Sequence, residues 1–376
     1  MTPFDGRGPL ALYVHVPFCT AKCPYCAFPS APPGEGDEDR YLEGIGREVR
    51  FWASRLKRRG LSSLYVGGGT PTRLSPSGWE RLIRFLEEAF SFRSSTEITV
   101  EANPESLSPE HLEIWGRWRP LRVSLGVQSF RDEELVALGR LHDGARAREA
   151  AMRIRRQGIP LGLDLMFGIP RQTLRTFAES LREALSLDPE HLSLYQLMLE
   201  EGTPFGESPP EGRAEEGYPF YRYAQWRLPR AGYGQYEVAS FALPGRWRRH
   251  NLRYWLGGDF LGLGPGAWGC LGGWRYRNDP TLTGWRARTD RGRSAALWGE
   301  RLSGERKARE EAILALRTRW GWSPGETSRR FGLPVAEAVE ADLLPFVGAF
   351  VRRQGVRWVL TPRGFQVANR IWEALV

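Results

Sequence analysis

Three cysteines, Cys19, Cys23 and Cys26, lie within the short stretch CTAKCPYC, and a fourth, Cys270, stands far from them. Clustered thiols of this kind read as metal ligands rather than as disulfide partners. A structural zinc ion normally takes four protein ligands, so zinc would need a further donor, and His15 just upstream is the candidate. Three thiolates on a four-iron cluster instead leave one iron without a protein ligand. That iron can chelate a small molecule and pass it an electron. Two further features carry chemistry. Gly67-Gly68-Gly69-Thr70-Pro71 exposes bare backbone, although alone it could be a tight turn. Glu101, Gln128 and Asp164 sit in or just after apolar runs, where each could equally be a strand-end cap or a satisfied core group.

The elements that must position these residues follow from the pattern around them. Leu10–Val16, Ser63–Val66, Glu97–Val100, Arg122–Val127, Leu161–Phe167 and His191–Leu197 read as strands. Helical sequence follows each of the first five, over Tyr41–Lys57, Ser77–Phe90, Pro109–Trp115, up to Arg156, and Phe177–Leu185. Successive βα units imply a parallel sheet with right-handed crossovers. No GxGxxG opens the first helix, so an α/β fold with a partial (β/α)6 barrel fits better than a dinucleotide-binding sheet. The residues with chemistry then gather at the C-terminal ends of the strands, the face where barrels of this kind hold their sites. From Tyr218 to Asn278 the sequence turns aromatic, glycine-rich and basic with weak periodicity. The tail reads as helices around a short β-turn, a small α+β, winged-helix-like module. The expected division is a core over 1–285 and a C-terminal domain over 286–376.

The chain has 376 residues with 15 Trp, 18 Phe and 12 Tyr, which excludes disorder as its main state. No apolar run approaches the roughly 20 residues of a membrane helix, and MTPFDGRG has no signal-peptide core, so a cytosolic protein is expected. The formal charge of +9 is carried almost wholly by arginine, since lysine occurs only at 22, 57 and 307. Anionic ligands are one source of such a bias, and nucleotide composition or heat adaptation are others.

CxxxCxxC after a first strand resembles the signature of the radical S-adenosylmethionine superfamily. That resemblance implies a [4Fe–4S] cluster on Cys19, Cys23 and Cys26 whose open iron binds S-adenosylmethionine. It also implies roles in cofactor binding for Tyr13, Tyr25 (against the adenine), Gly68, Gly69 and Thr70, and Glu101 (on the ribose hydroxyls). Gln128, Arg140 and Asp164 would line the cofactor side of the cavity. YVHVPFC, YVGGGTPT, VEANPE, VSLGVQSF, GRLHD and DLMFGIP are similar in order and spacing to the oxygen-independent coproporphyrinogen III oxidase group. Two departures argue against the oxidase itself. Ala27 and Phe28 follow Cys26 where that enzyme has a further cysteine, and only 18 residues precede Cys19.

Both departures resemble the heme-chaperone branch of the group, as does His250-Asn251-Leu252-Arg253-Tyr254-Trp255, which matches that branch's HNxxYW motif. The resemblance implies heme held by His250, Asn251, Arg253, Tyr254 and Trp255. A neutral imidazole can ligate heme iron, the rings can face a macrocycle, and Arg246, Arg248, Arg249 and Arg253 could pair with propionates. The function so implied is delivery of heme to apoproteins such as respiratory cytochromes, with an electron donor if the cluster is reduced. A homodimer and peripheral contact with membrane acceptors are compatible with it. The competing readings are radical decarboxylation of coproporphyrinogen III and, last, a nucleic-acid partner suggested by the charge and the tail. His142 reads as a cap, Cys270 as a packed thiol, and Trp268 and Trp274 as packing.

Overall fold

The computed structural model describes residues 9–56, 60–118, 120–212 and 217–376, so the expected helix end at Lys57 lies outside the described residues. The six runs form β1 (Leu10–Val16), β2 (Leu61–Gly68), β3 (Glu97–Ala102), β4 (Leu121–Gln128), β5 (Leu161–Phe167) and β6 (His191–Gln196). They pair in chain order and all in parallel. Local chemistry starts the helices between them. Ser75 accepts from the Gly78 amide ahead of a proline at Pro76–Ala89, and Ser108 and Thr173 form reciprocal capping boxes for Pro109–Arg117 and Leu174–Ser186.

The strands alternate in a way that announces a site. On β1, Leu12, Val14 and Val16 are fully buried in the large core. Tyr13 and His15 point to the other side, bonded to each other at 2.9 Å. The same inner side carries Ser63, Tyr65, Thr99, Glu101, Ser124 and Asp164, which are polar where a filled barrel would carry branched apolar layers.

Six further strands extend the sheet: β7 (Gly234–Gln235), β8 (Ser240–Ala242), β9 (Phe260–Leu263), β10 (Trp268–Leu271), β11 (Trp274–Asn278) and β12 (Ala296–Arg301). The order is β12-β11-β10-β9-β1-β2-β3-β4-β5-β6-β8-β7. β9 therefore lies on the flank of β1 that a closed barrel would give to its last strand, and the barrel is partial. This extension comes from the stretch whose periodicity was weak, because its strands are short and rich in glycine. The helix Leu282–Asp290 spans the expected boundary after residue 285, and the large sheet continues to Arg301. Beyond it, β13 (Val351–Gln354) and β14 (Arg357–Leu360) form a hairpin over a second core that includes Leu316, Trp322, Val339 and Ile371. Among the described residues no helix is long and apolar enough to cross a membrane.

Glu48 ties the extension to the barrel. Its carboxyl is buried and accepts from the Gly264 amide at 2.8 Å, Asn278 Nδ2 at 2.7 Å and Trp285 Nε1 at 3.0 Å. Burial, partly offset by these donors, raises it to about 7. Glu48→Ala strands three buried donors and is expected to lower stability by about 2 kcal/mol or more. Equilibrium urea unfolding measures it. An unchanged midpoint would show that water replaces the carboxyl at no cost.

Candidate functional site

The cysteine loop leaves the C-terminal end of β1 and is pinned to the neighbouring turn. The Cys19 amide donates to Ala31 O and that of Cys26 to Cys23 O, both at 3.1 Å. The amides of Gly69 and Thr70 donate to Val16 O and Phe18 O. All three thiols are half-buried, while Phe28 is 62% exposed. Among the described residues no three His, Cys, Asp or Glu side chains converge as ligands of a single ion. A four-iron cluster has no such requirement, because each thiolate takes a different iron. His15 is not free to complete a zinc site: Nδ1 faces Tyr13 Oη at 2.9 Å and Nε2 faces Pro29 O at 2.8 Å. Burial lowers His15 to about 4, so the ring is neutral.

The glycine turn faces this loop with no room for side chains. Gly68 has φ of 114°, and a Cβ there would lie 2.6 Å from His15 Nδ1. A Cβ on Gly69 would lie 2.6 Å from Phe18 O and 3.0 Å from Cys19 Sγ. Glu101, at the end of β3, accepts from Tyr65 Oη at 2.6 Å and from the Gly68 amide at 3.1 Å. Burial raises it to about 7, with the field of Asp164 adding to the shift and the two donors opposing it. Asp164 on β5 accepts from Ser124 and is likewise raised by burial.

A chain of polar contacts joins the cysteines across this face. Thr70 Oγ1 donates to Cys19 Sγ at 3.5 Å and accepts from Asn103 Nδ2 at 2.9 Å. Arg140 reaches Asn103 Oδ1 at 2.9 Å, Gly126 O at 3.1 Å and Cys23 Sγ at 3.6 Å. His142 sits behind it, bonded to Glu105 Oε2 and Val127 O; it is not the expected cap, since Leu138 ends the helix before it and Asp143 caps the one after, and it positions a carboxylate instead. Gln128 closes β4 at a register shift with φ of 65°, a left-handed conformation unusual for a non-glycine residue. Tyr25 packs in an apolar cluster with Leu138, Met166, Ile169, Leu197 and Phe205. The nine residues expected around S-adenosylmethionine thus lie on or toward one end of the barrel. Sequence reasoning missed Asn103 and Tyr65. Asn103 stands two positions after Glu101 at the same strand end, and Tyr65 is the inward residue one step ahead of the glycines.

The His250 segment lies elsewhere. Its helix, Arg249–Trp255, crosses the opposite, N-terminal end of the strands, tied to it by Arg249 and His250 amide bonds to the Glu97 carboxylate. His250 is fully buried, with Nδ1 2.9 Å from Ser63 Oγ, Nε2 2.5 Å from Tyr254 Oη, and its ring 5.2 Å from that of Tyr65. Burial lowers it to about 3, which keeps it neutral. Asn251 and Trp255 are half-buried, and the Arg317 guanidinium lies 4.2 Å from the Trp255 ring. The expected arginine cluster for two propionates does not form. Arg248 enters the barrel toward Thr99 and Ser124, Arg249 meets Ser95 O and Glu97, Arg246 meets Glu190, and Arg253 is buried against Pro9 O. Residues this close in sequence around a helix point in different directions, and each found its own acceptors, two of them along β3.

The structure also meets known proteins. The chain matches the Radical SAM superfamily over residues 13–184 and the HemN C-terminal domain over 302–367. It is 37% identical over 270 residues to the heme chaperone HemW of Haemophilus influenzae, 70% of each chain. The protein of the same name from Mycobacterium tuberculosis is 32% identical over 389 residues, covering 100% of this chain and 97% of its own. The coproporphyrinogen III oxidase HemN of Escherichia coli superposes with a TM-score of 0.85 at 24% identity, covering 99% of this chain and 91% of that one, and shows the shared fold. With its three cysteines on one loop facing bare glycine backbone, this chain belongs to the HemW family of the radical S-adenosylmethionine superfamily, membership of which implies a [4Fe–4S] cluster and S-adenosylmethionine.

Proposed function

We propose that the chain is a cytoplasmic heme chaperone that binds heme and passes it to apoproteins such as respiratory cytochromes. Similarity to proteins named for that role over essentially the whole chain is the observation that carries this reading. Cys19, Cys23 and Cys26 would hold the cluster, which supplies an open iron able to chelate S-adenosylmethionine and transfer an electron to it from an external donor. Gly68 and Gly69 offer amide backbone without side chains to the methionine end. Glu101 offers a carboxylate to the ribose, Tyr25 an apolar face to the adenine, and Tyr13, Thr70, Gln128, Arg140 and Asp164 shape the remaining wall. The core and the C-terminal module act as separate parts in this reading.

His250, with Asn251, Arg253, Tyr254 and Trp255, is the proposed heme segment. Its Nε2 is engaged by Tyr254, so binding through His250 requires that this hydrogen bond open. Anaerobic, reconstituted protein is expected to take up heme, and His250→Ala to weaken uptake about tenfold. Tyr254→Phe removes the competing hydroxyl and is expected to bind at least as tightly as wild type. Unchanged affinity in His250→Ala, with weakened affinity in Tyr254→Phe, would remove His250 as the ligand. Turnover of coproporphyrinogen III to protoporphyrinogen with S-adenosylmethionine and reductant would overturn the chaperone reading in favour of the oxidase. Phe28 is the residue that argues against that outcome.

A further inference from the structure

The extension β9–β12 has one face packed on the rest of the domain, and its other face meets the helix Gly304–Leu316 beside Arg275, through Glu310, while Trp268 and Trp298 stay exposed. On the packed side Tyr276 stacks between Trp52 and Trp274, with ring centroids at 5.8 and 4.8 Å. The other side continues the inner, polar side of the barrel. Antiparallel pairing places Trp268 opposite Arg277, and Arg277 opposite Trp298. The two indoles meet edge to face at 5.5 Å, and the guanidinium lies 5.7 Å from the Trp268 ring. Trp268 and Trp298 are 43% and 44% exposed, whereas Trp79, Trp115 and Trp285 are fully buried. Exposed indoles in register on one face are a surface awaiting a partner.

Arg277 gives that partner a charge. Its Nε is buried without a hydrogen-bond partner. Its neighbour Arg275 is held by Glu300 and Glu310, whereas Arg277 has no carboxylate within ion-pair distance among the described residues. Residues 264–267, which join β9 to β10, pack on the cysteine loop: a Cβ on Gly266 would lie 2.6 Å from Pro29 Cγ, and Ala267 O accepts from the amide of Asn278, next to Arg277. The face therefore borders the mouth of the barrel, at the opposite end from His250.

We propose that Trp268, Arg277 and Trp298 form the docking surface for a flat, carboxylate-bearing tetrapyrrole, a reading that rests on the heme function proposed above and gives the macrocycle its first resting place. The indoles cover the apolar ring face, and the unpaired guanidinium takes a propionate. Binding there needs no axial ligand, so the surface can hold a macrocycle while His250 remains sealed in the barrel.

The test titrates the full chain with metal-free protoporphyrin IX, with iron protoporphyrin IX, and with the dimethyl ester of the iron form. Trp268→Ala combined with Trp298→Ala is expected to weaken all three about tenfold. Arg277→Gln is expected to weaken the diacids about tenfold and leave the diester unchanged. Leu297→Ala, on the other face of β12, is the control and is expected to bind as wild type. If wild type binds and the tryptophan and arginine variants bind equally well, this surface is excluded while the heme reading stands. If wild type binds no tetrapyrrole, the heme reading falls and this assignment falls with it. Self-association lost in the same variants, with tetrapyrrole affinity unchanged, would give the face to a second copy of the chain and overturn the proposal.

Discussion

Cys23→Ala is expected to abolish the iron–sulfur cluster. Wild-type protein reconstituted without oxygen should hold roughly four iron and four sulfide per chain, and the variant less than about a tenth of that. The effect is expected to be all-or-none because the triplet would offer one thiolate to each of three irons, and Cys270 sits on β10, in the sheet extension rather than on the cysteine loop. Loss of the sulfur also frees the Arg140 group that points at it. Asn103 and the Gly126 carbonyl still hold the guanidinium. The loop is half-buried and lies outside the main core, so the apoprotein variant should melt within a few degrees of apo wild type. Full iron and sulfide in Cys23→Ala would show that the triplet is not the ligand set. Stoichiometric zinc with no sulfide in wild type would reinstate the zinc reading.

The second large effect is a separation of binding from stability at Glu101. Glu101→Gln is expected to weaken S-adenosylmethionine binding by two to three orders of magnitude, roughly the loss of two hydrogen bonds to a charged acceptor. The same substitution should stabilise the ligand-free protein at alkaline pH. The folded carboxyl is raised from 4.5 to about 7, so the folded state keeps a proton that the unfolded chain releases at lower pH. Stability therefore falls as pH climbs from 4.5 through 7 and is level above that. Glutamine cannot ionise, and its amide can accept from the Gly68 amide while donating to Tyr65 Oη. At pH near 8 the variant should be more stable by on the order of 1 to 3 kcal/mol, an advantage absent near pH 4. For wild type, affinity for the cationic cofactor should rise with pH across about 6 to 8, as the carboxylate forms. Urea unfolding at the two pH values and calorimetric titration of the cofactor supply both readings. Equal cofactor affinity in the two proteins would remove Glu101 from the site.

Much of this architecture is legible in the sequence. The six strands were readable because each is a short run of apolar and β-branched residues bounded by turn signals. Their parallel order followed from the helical sequence between them. The glycine run is legible as bare backbone after β2, but that Gly68 must be glycine follows only from its φ of 114° and its approach to His15. β9 to β12 were not legible. Four-residue strands such as WGCL in β10 have too little periodicity to read, and the pairing of β9 with β1, which attaches them to the sheet, joins Phe260 to Ala11 across roughly 250 residues of chain. In the sequence Trp268 therefore reads as packing, and only its register opposite Arg277 puts it on an exposed face. Asn103 was hidden for a different reason. Its role is set by Thr70 and Arg140, and neither is a sequence neighbour.

Sequence by itself determined the chemistry available: three thiols on one loop, a glycine turn, a carboxyl group ending the third strand, and an imidazole beside two aromatic rings. Those are covalent facts of residue type and short-range spacing, and local rules read them well. Tertiary structure decided which of these groups share a space. It gathered the first three at the C-terminal mouth of the barrel and sealed the imidazole at the other end. It also spread the four arginines around His250 onto four different acceptors. The reason is physical. A buried polar group must find partners, and for His250 Nδ1 the partner is Ser63, supplied by a strand 187 residues away.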